Sequence, residues 1–208
     1  MMMELVIALC FSLFAAAASA QELAPELQMT KMTSEVIGVI KQDQGIQAGN
    51  QKKVHELVEA RMLPHFDFGS MTALAMGRNW PSASAQQQKA LTGEFRTLLV
   101  RAYSSALSIY RDQVIDFKPL RAAAGETRVT LRTQVKQPGF EPTNIDYIME
   151  KSANGWMAQE VVIGGVSLVA NYREAFEAEI RGGGVDGLIK SLISKNRSLE
   201  PQSGSRPK

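Results

Sequence analysis

The stretch from Trp156 to Phe176, WMAQEVVIGGVSLVANYREAF, reads as a strand that turns sharply into an amphipathic helix. Its apolar run from Val161 to Ile163 is β-branched and breaks at Gly164-Gly165, and Ser167 then stands where an N-cap belongs. Leu168, Val169, Tyr172, Phe176 and Ile180 follow at spacings that line one face of a helix.

A strand of this kind needs neighbours, and three more candidates precede it: Val114 to Leu120, Thr127 to Val135 and Ile145 to Lys151. The second alternates cleanly, with Val129, Leu131, Thr133 and Val135 on one face and Arg128, Thr130, Arg132 and Gln134 on the other. One face is therefore wet and the other covered. Gly125-Glu126, Pro138-Gly139 and Asn154-Gly155 supply turns for an antiparallel meander.

Helical patterns flank these strands. Residues 26 to 42 carry weak periodicity. Asn50 caps a second helix with an apolar stripe of Val54, Leu57, Val58 and Met62, which Pro64 ends. A short helix over Phe68 to Met76 stops at Gly77. Ser84-Ala85-Gln86-Gln87 is a capping box, and it opens a long helix whose stripe runs from Leu91, Phe95, Leu98, Leu99, Ala102 and Tyr103 to Ala106, Leu107 and Tyr110. Downstream, Gly182-Gly183-Gly184 separates the Tyr172 helix from a last short one bearing Leu188, Ile189, Leu192 and Ile193. Helices, then strands, then helices predict an α+β fold, with a four-stranded curved antiparallel sheet packed against several helices.

The chain has 208 residues, 45% of them hydrophobic, which suits one domain spanning 21 to 198. Residues 1 to 20 read as a cleaved secretory signal, with an apolar core from Leu5 to Phe14 and Ala18-Ser19-Ala20 before Gln21, although no Lys or Arg precedes the core. Cleavage would remove Cys10, which is the chain's cysteine, and leave 23 basic against 20 acidic residues. Disulfides and thiolate metal sites are thereby excluded from the mature chain, and so mild a charge excludes a nucleic-acid footprint. The polar tail from 199 to 208 is expected to be disordered.

Several motifs invite a chemical reading and fail in context. Gly182 to Gly187 satisfies G-x-G-x-x-G but follows a helix rather than a strand. His55 and His65, ten residues apart across Pro64, cannot share a helix face toward a metal; His65 is expected to be a helix-end cation facing the negative pole of the dipole. Ser167 lacks the glycine two residues on that a hydrolase elbow requires, so it reads as a cap, as does Asp67.

Together, Trp156 to Phe176, Leu63-Pro-His-Phe-Asp-Phe68 and Leu74-Ala-Met-Gly-Arg-Asn-Trp80 resemble the periplasmic phospholipid-carrier family of the MlaC type, also called toluene-tolerance auxiliary proteins. The resemblance covers roughly 54 to 196 and includes Gly77 with Trp80, the helix end from Tyr103 to Tyr110, and the Gly-Val-Ser-Leu and Tyr-Arg-x-x-Phe pattern from Gly165 to Phe176. Two positions depart: Glu160 stands where the family usually has aspartate, and Gly164 where it often has glutamate.

The resemblance implies a nuclear-transport-factor-like cone with an apolar cavity that holds a glycerophospholipid as cargo, with no cofactor. The walls it implies are Leu63, Phe66, Phe68, Met71, Phe95, Leu99, Tyr103, Leu131, Tyr147, Val166, Val169 and Tyr172. For such a cargo, weak polar selection of the head group is expected at the rim, from Arg78 or Arg173. It also implies an inner-membrane ABC transporter complex and an outer-membrane lipoprotein complex as partners of a monomeric periplasmic carrier. Two competing expectations are an isomerase- or hydrolase-like enzyme on the same cone and a non-catalytic periplasmic interaction subunit. The first needs a carboxylate facing its donor across a pocket, and Asp146 and Tyr147, adjacent on one strand, point to opposite faces.

Overall fold

The structure is a computed structural model and describes residues 24–104, 113–123 and 125–200. The expected signal segment, residues 201 to 208 of the tail, and the end of the long helix through Ala106, Leu107 and Tyr110 lie outside the described residues.

Helix α1 spans Pro25–Gln42 and buries Met29, Met32, Val36 and Ile40 at spacings of three and four. The single turn α2, Gln44–Gln47, is capped by Asp43, whose carboxylate accepts from the Gly45 and Ile46 amides. Helix α3, Gln51–Leu57, starts on Asn50 as its side chain accepts from the Lys53 amide. Its continuation corrects the sequence expectation of one α-helix through Met62. After Leu57 the chain widens into a π turn, Val58–Met62, and tightens into a 3₁₀ turn, Leu63–His65. Pro64 has no amide to give the carbonyl four residues back, so a regular ladder cannot run through it.

Helix α4, Phe68–Met76, leads through a 3₁₀ turn, Gly77–Ser82, into α5, Ala85–Tyr103. The expected capping box closes α5: Ser84 Oγ accepts from the Gln87 amide, and Gln87 Oε1 accepts from the Ser84 amide.

The sheet has five strands in sequential antiparallel order rather than four: β1 Val114–Phe117, β2 Arg128–Lys136, β3 Thr143–Ser152, β4 Gly155–Ile163 and β5 Val166–Ser167. Strand β1 stops short of Leu120 because Pro119 cannot continue a ladder. The added strand comes from the double glycine. Gly164 and Gly165 take φ of 58° and 84°, the pair of positive values a tight hairpin turn requires, and fold Val166 and Ser167 back onto Ile163 and Val162. A bulge shifts the β3–β4 register: Ile148 faces Glu160 while Met149 faces Ala158, leaving Gln159 extra. It lets Val161 and Ile163 share the inner face with Trp156 and Ala158.

Helix α6, Leu168–Ser198, is capped by Ser167, whose Oγ accepts from the Ala170 amide. The expected glycine linker is confined to Gly184, where φ 66° and ψ −170° bend one long helix. Apolar side chains form two cores. One joins α1, α2 and α3 to the sheet through Met29, Val54, Leu131, Met149 and Trp156. The other is helical, with Met71, Leu91, Phe95, Val169, Phe176 and Leu188 from α4, α5 and α6. Phe66 packs against both.

Candidate functional site

Between the two cores lies a cavity of about 390 Å³, within the range of about 300 to 1,000 Å³ typical of ligand pockets. Its walls come from five directions: Met32, Val36 and Ile40 of α1; Val58, Met62 and Leu63 after α3; Phe66, Phe68 and Met71 at the start of α4; Leu99, Val100 and Tyr103 of α5; and Ile115, Val135, Ile145, Tyr147, Val161 and Ile163 of the sheet. Leu168 closes it at the start of α6.

Local chemistry holds each wall in place. The Asp67 amide donates to the Ala158 carbonyl at 2.9 Å, and Phe66 bridges to Ala158, so the 63 to 68 segment is tied to β4. Asp67 then caps α4 by accepting from the Ser70 amide at 2.9 Å, as expected, which fixes Phe68 beside Phe66 with ring centroids 6.2 Å apart. Arg96 of α5 lies 5.8 Å over the Phe68 ring and pairs with Glu59, joining the second core to the π turn. From α1, Gln28 Nε2 donates to the Trp156 carbonyl at 2.7 Å and to His65 Nδ1 at 3.0 Å.

That last bond corrects the expectation of a cationic His65. Its Nδ1 serves as an acceptor, and burial holds the imidazole below its ordinary value, against an opposing pull from Glu35. The imidazole ties α1 to the 3₁₀ turn as a neutral ring. His55 pairs instead with Glu59 at 3.6 Å.

Among the described residues the cavity lining carries no charged side chain. Apart from Thr33 of α1 and Tyr147, its polar members are Tyr103, Ser104, Gln113 and Gln137, which gather where α5 ends, β1 begins and β2 ends; Gln113 donates to Gln137 at 3.1 Å. At this polar end Tyr103 is 37% exposed. Tyr147 differs: it sits in the middle of the central strand, opposite Leu131 and Val161, and burial pushes its phenol up to about 12.

The structure brings Leu63, Phe66, Phe68, Met71, Leu99, Tyr103 and Tyr147 together at this cavity. The other expected wall residues stand elsewhere. Phe95 is fully buried and stacks edge-on against Tyr172 and Phe176, with centroids 5.1 and 5.2 Å away, so these rings fill the helical core. Val169 is buried in the same core, and Leu131 is closed over by the other. Val166 pairs with Ile163 on the short edge strand β5, where it is 58% exposed and does not line the cavity.

Neither arginine expected at the rim lines the cavity. Arg173 donates through Nε and Nη2 to the Leu74 carbonyl at 3.2 and 2.8 Å, satisfying the end of α4, and exposed Arg78 lies 3.8 Å from Glu177. Conversely, the α1 wall and Ile115, Val135, Ile145 and Ile163 were not singled out from sequence. The signal for α1 was present in the spacing of Met29, Met32, Val36 and Ile40.

Tempting catalytic groups are occupied structurally. Ser167 donates its hydroxyl proton to Glu160 while capping α6, so both side chains have defined partners. Asp146 lies opposite Arg132, on the sheet face away from Tyr147. Among the described residues no cluster of His, Cys, Asp and Glu is placed to hold a metal, and no helix is long and apolar enough to cross a membrane.

This architecture is shared with known proteins. The family model described as MlaC protein matches residues 30–194. Over 189 residues the chain is 21% identical to the intermembrane phospholipid transport system binding protein MlaC of Haemophilus influenzae, a match spanning 89% of this chain and 85% of that protein. It is 37% identical to a phospholipid-binding protein of Ralstonia solanacearum solved in complex with a phospholipid, covering 86% of this chain and 100% of that one at a TM-score of 0.80.

Proposed function

The chain belongs to the MlaC protein family, and from that premise we propose that it is a non-enzymatic carrier that binds a glycerophospholipid by its acyl chains during intermembrane transport. The observation that carries this reading is the uncharged, largely apolar cavity of about 390 Å³ held open between two cores. Burying each methylene is worth about 0.8 kcal/mol, so two acyl chains left in water would cost tens of kcal/mol. Chains that pass from one hydrocarbon environment to another gain little net free energy, and direction must come from partners.

The partners in this proposal are an inner-membrane ABC transporter complex and an outer-membrane lipoprotein complex, reached in the periplasm after residues 1 to 20 are removed. Residues 21 to 198 form the carrier domain. Exposed apolar side chains at one end of the sheet support a docking role: Val114 opens β1, Phe140 tips the β2–β3 turn and Val166 opens β5, at 61%, 69% and 58% exposure.

The test is organic extraction of the detergent-free mature protein followed by mass spectrometry. Phospholipid near one molecule per chain is expected. Its absence, both as purified and after delipidation and exposure to phospholipid vesicles, would refute the carrier.

A further inference from the structure

Tyr147 is a polar group in an unusual position. It occupies the third of five strands, with Leu131 and Val161 as its neighbours in the ladder and the Phe66 ring 6.5 Å away, edge-on at 65°. Its side chain lines the cavity. Among the described residues its hydroxyl has no hydrogen-bonding partner, and it is not among the polar atoms sealed from all accessible space. The hydroxyl therefore opens into the cavity. Among the other polar groups of the lining, Ser104 Oγ donates to the Val100 carbonyl and Gln113 bonds Gln137, while Thr33 stands across the cavity on α1.

A hydroxyl that opens from an apolar wall is left to bond with whatever enters the cavity, whereas a phenylalanine would fill the same wall and offer nothing. A phenol well away from ionisation offers a neutral donor. The parts of a lipid differ in how they could meet it. A phosphate brought here would be a charge among uncharged walls, and an alkyl chain has nothing to accept with. An acyl ester carbonyl is neutral, accepts, and sits where the chains begin.

We propose that the Tyr147 hydroxyl donates a hydrogen bond to an ester carbonyl oxygen of the bound lipid, fixing how deeply the cargo enters and favouring ester-linked over ether-linked chains. This rests on the carrier reading above. Tyr147 is then a specificity-determining residue for the linkage region, distinct from walls that recognise hydrocarbon alone.

The experiment loads mature wild-type protein and Tyr147→Phe from vesicles holding equal amounts of phosphatidylglycerol with two ester-linked oleoyl chains and phosphatidylglycerol with two ether-linked oleyl chains. Bound lipid is extracted and the ratio read by mass spectrometry. Because a ratio is read, the amount of folded protein does not enter it. Wild type is expected to favour the ester lipid by about fivefold, the size of one net neutral hydrogen bond, and Tyr147→Phe to load the two equally. Equal loading by wild type, or an ester preference unchanged in Tyr147→Phe, would overturn the assignment while leaving the carrier standing. Failure of both proteins to load either lipid would overturn the carrier reading and the assignment with it.

Discussion

Phe66 and Tyr147 meet edge-on with ring centroids 6.5 Å apart, and this contact joins the loop before α4 to the centre of the sheet. Phe66 also packs against both cores. Phe66→Ala removes packing from both sides at once. The expected result is a loss of about 3 kcal/mol of unfolding free energy in urea titration, together with weaker lipid loading. A change below about 0.5 kcal/mol would show that the cores do not lean on this ring.

Leu63 lines the cavity without being fully buried, which makes it suited to filling rather than breaking the site. Leu63→Trp places an indole in space the cargo is proposed to use. Lipid loading should fall on the order of tenfold with the melting temperature nearly kept, because the added volume enters a void rather than a packed core. Undiminished loading with native circular dichroism would count against the cavity as the cargo site.

His65 gives the fold a pH dependence with a definite sign. Its folded value is held below the ordinary 6.5 by burial, so above about that pH both folded and unfolded rings are neutral. As pH falls below 6.5 the unfolded chain takes up the proton first, and stability declines until the folded ring titrates too. Protonation of Nδ1 also removes the acceptor that Gln28 uses. Melting temperature should therefore drop between pH 7 and 5, and the slope should flatten in His65→Gln. An identical slope in that variant would assign the dependence to other groups.

Ser167 caps α6. Ser167→Ala should lower stability by about 1 kcal/mol, through loss of the bond from the Ala170 amide and of the partner of Glu160, and should leave lipid loading unchanged. Loss of a hydrolytic activity in the variant, with stability intact, would reverse that assignment.

Features that depend on two or three neighbouring residues were readable from the sequence. Asn50, Asp67, Ser84 and Ser167 cap where their spacing says, and β2 alternates as written because both effects are local. Phe95 and Leu99 mark the limit. They sit four apart on one apolar stripe of α5, yet Phe95 is locked among aromatic rings and Leu99 faces the cavity. The difference lies in what each meets across the gap, α6 or the sheet, and periodicity carries no record of the opposing surface. The bulge at Gln159 is hidden for a similar reason: strict alternation from Trp156 would send Val161 to the outer face, and the β3 register alone reveals that it turns inward. Arg173 is expected at the rim as a polar selector of the head group, whereas helix packing aims it at the Leu74 carbonyl.

The central claim is that cargo occupies the space between the cores rather than either core or the surface. Phosphatidylglycerol carrying a diazirine in one acyl chain, loaded onto the mature protein, photolysed and mapped by peptide mass spectrometry, tests it most directly. The account predicts adducts at Met32, Met71, Leu99, Ile145 and Tyr147. Adducts concentrated at Phe95, Val169 and Phe176, or spread over exposed positions with none on the cavity wall, would contradict it.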